Sequence, residues 1–519
     1  MVEEYQCFKI LKKGEKAPPD YIQIPLLWTF AVKYDGRKRA RCVAGGHMTP
    51  KLDTEESTST MVSLDTIKLA FIAAELMGLK TLSADITLAY IQANTKEKVY
   101  TIAGPEFGEL EGCVLLIEKA LYGLQSSGNA WHSKLADDLY ELGFKPSKAD
   151  PDLWMRQKND HYKYIAVFVD DLLIFSKEPE KILEQIKYEM KNVGPPEYYN
   201  GADMSINPEN GYWQISAKTY IKNTCEKIEN LFDIKLKNYG SPLEVGDHPE
   251  IDESDILDPE ETTKYQMLVG CAQWAVSIGR YDIQYATNLM ARFAHCPREG
   301  HMKRMFRIFG YLKHHMKYRI IFDPESPNLD GLTFNEYDWS YIYQDAKEDM
   351  PNDMPDPITM NVAMTVYADS NHGNCLVTRR STTGIIVVIG RTVVFTYSKR
   401  QNTIETSTYG AEFVAARIAI EKILEYRYKA RMIGIRIDDP AVLLIDNNSV
   451  VINSTVPSST LKKKHNAIAY HKVREAVAAG FVKIAHISSK VNRADILTKP
   501  LGPQDYFNLL NEIMFTHQE

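Results

Sequence analysis

Residues 164–176 read YIAVFVDDLLIFS. Two apolar runs of strand length, rich in β-branched and aromatic residues, flank Asp170 and Asp171, which predicts a β-hairpin with two acids at its tip. Along an extended strand neighbouring side chains point to opposite faces, but at a tight tip that alternation relaxes and both acids can approach one site. Uncompensated carboxylates between apolar strands are costly unless a cation offsets them. An isolated pair of acids more often marks an ordinary acidic turn, so the reading needs further acids placed to meet this pair. Asp85 is one. It ends a predicted strand, Thr81 to Asp85, inside LSADITLAYIQA.

Working outward, residues 27–47 predict two strands around a turn at Asp35-Gly36. Apolar spacing predicts helices over Leu64 to Leu79 and Trp131 to Leu142, another around Pro179 to Asn192, and a helix-rich stretch from Thr263 to Lys317. Residues 324–358 are rich in Pro, Asp, Asn and Glu, which marks a linker or inserted loop. Beyond it the pattern alternates: strand Val362 to Asp369, hairpin Thr383 to Ser398, helix Ser407 to Met432, strand Ala441 to Ile445, helix Ala467 to Ala479 and strand Phe481 to Ile487. This order predicts a compact α/β domain.

That rear part carries a second set of acids. Asp369 and Asp446 end strands, Glu412 lies on a helix, and Asp495 opens a predicted last helix, NRADILTKPL. Paired divalent ions about 3.5–4 Å apart, as used in phosphoryl transfer, need acids converging from separate elements in this manner. Any one of the four alone reads as a cap or a surface residue. The ordered set does not.

The 519 residues allow three or four domains, and a hydrophobic share of 44% with 25% charged residues belongs to a soluble globular protein. No apolar run reaches the roughly 20 residues of a membrane-spanning helix. Ile385 to Tyr397, broken by Gly390 and Arg391, reads as a buried hairpin. Seven cysteines lie singly with no CxxC pair, which argues against a disulfide framework and a zinc knuckle. The net charge of −7 is unusual for a nucleic-acid protein. Locally, however, Arg298 to Arg319 is strongly basic and Glu244 to Glu261 is acidic. A solvated helix face explains the basic run equally well on composition.

The motifs taken together resemble the reverse transcriptases of copia-type retrotransposons. FVDD (168–171) resembles the family's YVDD box, Asp85 matches its first palm aspartate, and ALYGLQSSGNAWH (120–132) resembles its LYGLK…AW segment. VKYDGRKRARCVAGGH (32–47), ADPDLWM (149–155) and GRYDIQYATNLMARF (279–293) follow in the family's order. At the rear, YADSNHGN, RRSTTG, STYGAEF, DNNS and ADILTKPLG resemble the ribonuclease H domain of the same elements.

This resemblance implies an α+β right-hand polymerase (fingers, palm, thumb) followed by an α/β ribonuclease H-like domain. The implied divisions are fingers and palm at 1–262, a helical thumb or connection at 263–323, the linker at 324–361, the ribonuclease H-like domain at 362–505 and a tail at 506–519. Asp85, Asp170 and Asp171 would bind one Mg²⁺ pair, and Asp369, Glu412, Asp446 and Asp495 a second, with Mn²⁺ an alternative. Tyr90 falls at an aromatic steric gate, and Lys33, Arg39 and Arg41 are candidates for the incoming triphosphate. Gln125 lies beside that pocket. It stands where the family usually has Lys, while Ser126 and Gly128 also depart from the pattern. Lys303, Arg304, Arg307 and Lys313, with Lys462, Lys463 and Lys464, are candidates for the nucleic-acid backbone. His372, close to Asp369 in sequence, could assist but reads better as a surface histidine, and His486 is open between the same two readings.

The implied partners are an RNA template, a DNA primer, the RNA–DNA hybrid and dNTPs, with no membrane. A homodimer, or polyprotein partners such as integrase, protease and capsid protein, also fit. Cytoplasmic virus-like particles, with nuclear entry of the complex, are the implied location. The chain lacks an aspartic-protease triplet and a recognisable integrase, so the resemblance is to the C-terminal piece of a polyprotein or a truncated gene. The alternative function is a catalytically impaired or domesticated remnant that binds nucleic acid.

Overall fold

The computed structural model describes residues 5–32, 38–53, 57–461 and 466–515. Lys33, the Asp35-Gly36 turn and Lys462, Lys463 and Lys464 lie outside them. The chain divides into two compact units: Met1–Ser63 with Lys80–Pro195, and Leu64–Leu79 with Pro196–Glu519. The second unit therefore includes the helix α1 (Leu64–Met77).

The first unit is built on an antiparallel sheet. Its strands are β3 (Lys80–Ile86), β4 (Lys145–Pro146), β5 (Leu153–Lys158), β6 (His161–Phe168), β7 (Asp171–Ser176) and β8 (Met190–Gly194), in the spatial order β8-β3-β7-β6-β5-β4. Helix α2 (Ser127–Glu141) lays Ala130, Trp131, Leu135 and Leu139 against Ile165, Val167, Leu172 and Ile174. Those four positions form one helical stripe, so the spacing that predicts the helix also selects its buried face. A smaller sheet, Phe8–Ile10 with Val114–Ile117, Val99–Ile102 and Ile22–Gln23, closes a second core around Cys7, Leu115 and Ile117.

The hairpin predicted at 27–47 is β1 (Leu26–Val32) paired with β2 (Lys38–Ala44). Its far end crosses the Tyr122–Gly123 backbone closely. The Ala44 N–H donates to the Tyr122 carbonyl at 2.7 Å, and a Cβ on Gly46 would stand 2.2 Å from the Gly123 oxygen. Gly123 itself has φ +95, a region where glycine is nearly strain-free.

One expected element is different. The helix expected from Pro179 to Asn192 is only a single turn, Glu180–Leu183, and the chain then becomes β8. Ile182 and Ile186 already reach the core in the turn. The outer edge of β3 offers unpaired backbone groups that β8 satisfies, with a bulge at Asn192 where φ is 52. Edge pairing outweighs the local helical period.

In the second unit α1 is buried without a break from Thr66 to Ala74. Phe71 stacks on Phe322 with centroids 4.6 Å apart. Lys68 is 2% exposed; its ammonium donates to the Tyr281 hydroxyl at 2.5 Å and to Asp65 at 3.4 Å. The helix-rich stretch resolves into α3 (Pro259–Ile278), α4 (Gln284–Ala291) and α5 (Glu299–His314). An Asp258–Glu261 capping box starts α3, satisfying otherwise orphan N–H groups.

The rear strands are β9 (Met364–Asn371), β10 (Thr382–Ile389), β11 (Thr392–Arg400), β12 (Ala441–Ile445) and β13 (Val482–His486), in the order β11-β10-β9-β12-β13. β9 to β11 run antiparallel, whereas β12 and β13 run parallel to β9. The expected α/β order is present, with the long helix α6 (Thr408–Arg431) against β9 and β10. Helix α7 (Asn448–Thr455), between β12 and α8 (Ala467–Ala478), went unread in the sequence. Asp495 sits on a 3-10 turn, Arg493–Leu497, rather than opening an α-helix, because Asn492 caps the turn and Pro500 follows soon after.

Residues 324–361 contain no helix or strand, yet they are tied down. Glu348 bridges the guanidinium groups of Arg427 and Arg431 at 2.8 and 2.6 Å, and Arg474 lies 4.7 Å over Trp339. Proline and acidic content predicted irregular backbone correctly, while these anchors could not be read from composition.

Candidate functional site

The front cluster follows from strand register. Asp171 on β7 pairs directly with Asp85 on β3, and directly opposed residues of antiparallel strands project from the same face. Asp170 occupies the hairpin tip, where Val169 takes φ 60. A β-branched residue in the left-handed region is strained and persists only when its surroundings hold it. Two bonds do so. The Trp131 indole donates to the Val169 carbonyl at 2.7 Å, and the Ile86 N–H donates to the Asp170 carbonyl at 2.8 Å. Burial, followed by the neighbouring Asp85 carboxylate, raises the Asp170 pKa. Asn192 donates to Asp85 from the edge strand at 3.4 Å.

Tyr90 stands on a 3-10 turn after Leu88, with its ring 4.7 Å from that of Tyr122. Arg41 lies 5.2 Å over Tyr122. Arg39 and Arg41 occupy one face of the β1–β2 hairpin, since they alternate with Ala40. Both tyrosine hydroxyls are raised in pKa by burial, with Asp170 adding to the effect. Gln125 ties two loops together. Its amide donates to Gly46 O at 2.9 Å and Thr49 Oγ1 at 2.8 Å, bracing the 46–52 loop. Its neighbour Ser126 donates from N–H and hydroxyl to Glu97.

The rear cluster is tighter. Among the described residues, Asp369, Glu412 and Asp446 form a group whose carboxylate oxygens lie within 4.8 Å of one another. Asp369 is on β9, and Asp446 follows the end of its parallel neighbour β12. Glu412 projects from the first turns of α6, whose Ser407 N-cap accepts from Gly410. Asp369 and Glu412 are buried, at 4% and 3% exposure.

Burial and then Asp495 push the Asp369 pKa up to about 7. Burial, then Asp369 and Asp446, drives that of Glu412 well upward. Asp495 stands beside the trio, hydrogen-bonded to Asp369 and 2.8 Å from the Lys499 ammonium. The Thr498 hydroxyl donates to Asp369. Lys499 and Thr498 did not stand out in the sequence, although a lysine four residues after Asp495 was a usable signal.

A divalent cation fits this donor set. Oε2 of Glu412 is buried without a hydrogen-bond partner among the described residues. The three acids supply only hard oxygen donors, and their mutual repulsion in a dry setting is what a cation relieves.

The basic candidates on α5 are engaged internally. Arg304 forms ion pairs with Asp247 and Asp252 at 2.7 and 2.6 Å, Arg307 contacts Glu244 at 2.5 Å, and Lys313 contacts Glu229 at 2.8 Å. The acidic run from Glu244 is thus the counter-charge of the basic one. Lys303 is 73% exposed and only 3.6 Å from Glu299. Ring nitrogens of His372 and His486 lie 2.9 and 3.1 Å from the carbonyls of Glu405 and Asp446.

Residues 7–237 match the family model described as reverse transcriptase (RNA-dependent DNA polymerase). The front part of the chain is therefore similar to a reverse transcriptase domain. Over nearly its whole length the chain is also homologous to copia-type Pol polyproteins. It is 26% identical over 513 residues to the retrovirus-related Pol polyprotein from transposon RE1 of Arabidopsis thaliana, covering 96% of this chain and 32% of that one. It is 24% identical over 513 residues to the corresponding protein from transposon TNT 1-94 of Nicotiana tabacum, covering 94% and 35%. A Ty1 Gag-Pol polyprotein of Saccharomyces cerevisiae is 23% identical over 507 residues, covering 93% and 26%. The chain spans about a third of the length of the plant relatives and less of the yeast one.

Two solved structures also align. The N-terminal RNase H domain of a Mycobacterium tuberculosis protein covers 29% of this chain and 98% of its own, with 14% identity and a TM-score of 0.21. LC11-RNase H1 in complex with an RNA/DNA hybrid covers 26% and 93%, with 17% identity and a TM-score of 0.21.

Proposed function

We propose that this chain is an RNA-directed DNA polymerase with ribonuclease H activity, which copies element RNA into DNA and degrades the RNA strand of the hybrid. The observation that carries the reading is the pair of carboxylate sets: Asp85 opposite Asp171 at a held hairpin tip, and Asp369, Glu412 and Asp446 within 4.8 Å. Homology to copia-type Pol polyproteins supports it. In this reading residues 1–262 act as fingers and palm, 263–323 as thumb or connection and 362–505 as the nuclease.

Each cluster would hold two Mg²⁺ ions, or Mn²⁺, which when bound polarise the reacting phosphate and stabilise attacking and leaving oxygens. In the front site Asp85, Asp170 and Asp171 are the ligands, and the strained tip fixes their geometry before substrate arrives. Arg39 and Arg41 present guanidinium forks to the triphosphate of an incoming dNTP. Tyr90, backed by Tyr122, crowds a ribose 2′-hydroxyl. In the rear site Asp369, Glu412 and Asp446 are the ligands. Asp495 completes the set, with Lys499 balancing its charge. The substrates are an RNA template, a DNA primer and their hybrid.

Primer extension on an RNA template and hydrolysis of a labelled RNA–DNA hybrid test the assignment separately. Asp170→Asn is expected to remove extension by at least about a hundredfold while sparing hydrolysis, and Glu412→Gln the reverse. A wild-type protein that binds both substrates yet performs neither reaction would instead establish a nucleic-acid-binding remnant.

A further inference from the structure

Helix α4 lies along the edge of the rear sheet in an unusual match of periods. Gln284 donates to the Thr396 carbonyl at 3.2 Å, and Asn288 donates to the Ser398 carbonyl at 2.8 Å. Four helical residues advance about 6.0 Å, and two strand residues advance about 6.6–6.8 Å. The next pair in this series is Arg292, the C-cap of α4, opposite Arg400, the last residue of β11. The first two pairs are polar bonds that cover the sheet edge. The third sets one guanidinium against another.

Neither guanidinium has an ion-pair or hydrogen-bond partner among the described residues. The nearby acid, Glu250, accepts from the Leu376 N–H at 2.9 Å and from His248. Helix-end carbonyls attract a cation weakly, but only the Arg292 backbone N–H donates to them, at Leu289 and Met290, and its guanidinium does not among the described residues. Burial, then Arg400, lowers the Arg292 pKa. Two unneutralised guanidinium groups, both on half-buried residues, form an uncompensated site that an anion would complete.

The sheet says which anion. Arg400 pairs with Thr382, which pairs with Asn371, and Asn371 lies two residues along β9 from Asp369 on the same face. Thr382 Oγ1 donates to Asn374 at 3.1 Å, continuing a neutral polar row between the acids and the arginines. Strand spacings put Arg400 about 12 Å from Asp369, or roughly three to four base steps along a duplex.

The geometry points to Arg292 and Arg400 as a joint clamp for one backbone phosphate of a duplex whose scissile bond lies at Asp369. The inference rests on the proposed hybrid substrate and adds a positioning contact outside the carboxylate set.

The test uses the full chain, with hybrid binding followed by fluorescence anisotropy in EDTA across a salt series. Arg400→Gln is expected to shallow the slope of log affinity against log salt by about one. Arg292→Gln should do the same, and the double variant should fall no further, because both groups hold one phosphate. A scan with single methylphosphonates should find one position, about three or four steps from the cut, that weakens wild type and is silent in Arg400→Gln. Hydrolysis should show a raised KM with kcat retained. Should Arg292→Gln misfold, Arg292→Lys and Arg400→Gln at the end of β11 still decide the matter. An unchanged slope in Arg400→Gln, or no silent position in the scan, overturns the clamp. Wild type that binds the hybrid without cutting it would overturn the nuclease reading instead, since slope and scan do not depend on turnover.

Discussion

Asp369→Asn is expected to make the metal-free protein more stable at neutral pH. The side chain is almost fully buried, and its pKa stands at about 7 against an ordinary 3.8. An acid whose folded-state pKa lies above its unfolded value weakens the fold progressively as the pH climbs between the two values. Below about 4 both states are protonated and the term vanishes; above about 7 it is complete. Three units correspond to about 4 kcal/mol at 1.36 kcal/mol per unit, an upper figure before relaxation of the site. Asparagine keeps the shape and an oxygen to accept from Thr498, so the substitution removes charge with little change in packing. Half of the upper figure would raise Tm by about 4–8 °C. The assay is thermal unfolding of wild type and variant in EDTA from pH 4 to pH 8, repeated with Mg²⁺. The gain should grow with pH and shrink when Mg²⁺ is added, because the cation relieves the same repulsion in wild type. A variant no more stable than wild type at pH 8 in EDTA would refute the argument that these acids repel one another in the apo fold.

Glu348→Gln should destabilise by about 3 kcal/mol, since Arg427 and Arg431 are then buried without their carboxylate; urea unfolding measures it. The Glu348 pKa is held at about 2, despite burial, by those two arginines. Its contribution should therefore persist above pH 4.5 and disappear as the pH falls toward 2, visible as a closing gap between wild type and Glu348→Gln. Gly46→Ala places a Cβ 2.2 Å from the Gly123 oxygen, and should cost more than about 2 kcal/mol or prevent accumulation of folded protein. Trp131→Phe removes the indole donor to Val169 and should lower primer-extension kcat several-fold while leaving hybrid hydrolysis unchanged.

What could be read from the sequence was whatever depends on local period and strand ends. The hairpin at Asp170 and Asp171, the strand ending near Asp85 and the rear strands came from patterns of two and of 3.6, and the register then made neighbours of Asp85 and Asp171. What escaped depends on partners distant in the chain. Arg304 and Arg307 read as a nucleic-acid face, yet residues near Asp247 come back to neutralise them. Gln125 reads as lying beside the nucleotide pocket, and its bonds to Gly46 and Thr49 could not be read from the local sequence. The helix from Pro179 gave way to an edge strand because β3 had backbone groups to satisfy, which no local window reveals. Arg292 is unremarked within GRYDIQYATNLMARF, and its guanidinium, without an ion pair among the described residues, comes into view once α4 is laid along β11.

The two acidic sets differ in a way that bears on what each requires of a cation. In the front set the three aspartates are half-buried, and Asp170 meets its partners from a turn held by two bonds to other elements. In the rear set burial and mutual repulsion raise the pKa of every member, and one glutamate oxygen has no proton donor among the described residues. The front geometry is thus maintained by hydrogen bonds to the backbone, while the rear geometry is maintained by packing against its own electrostatics. It follows that removing divalent ions should leave the front hairpin's amide protection nearly unchanged and loosen the strand ends of β9 and β12 together with the start of α6. Hydrogen exchange in EDTA and in Mg²⁺, compared peptide by peptide, reads that difference; equal changes at Asp170 and Asp369 would mean that burial does not distinguish the two sites.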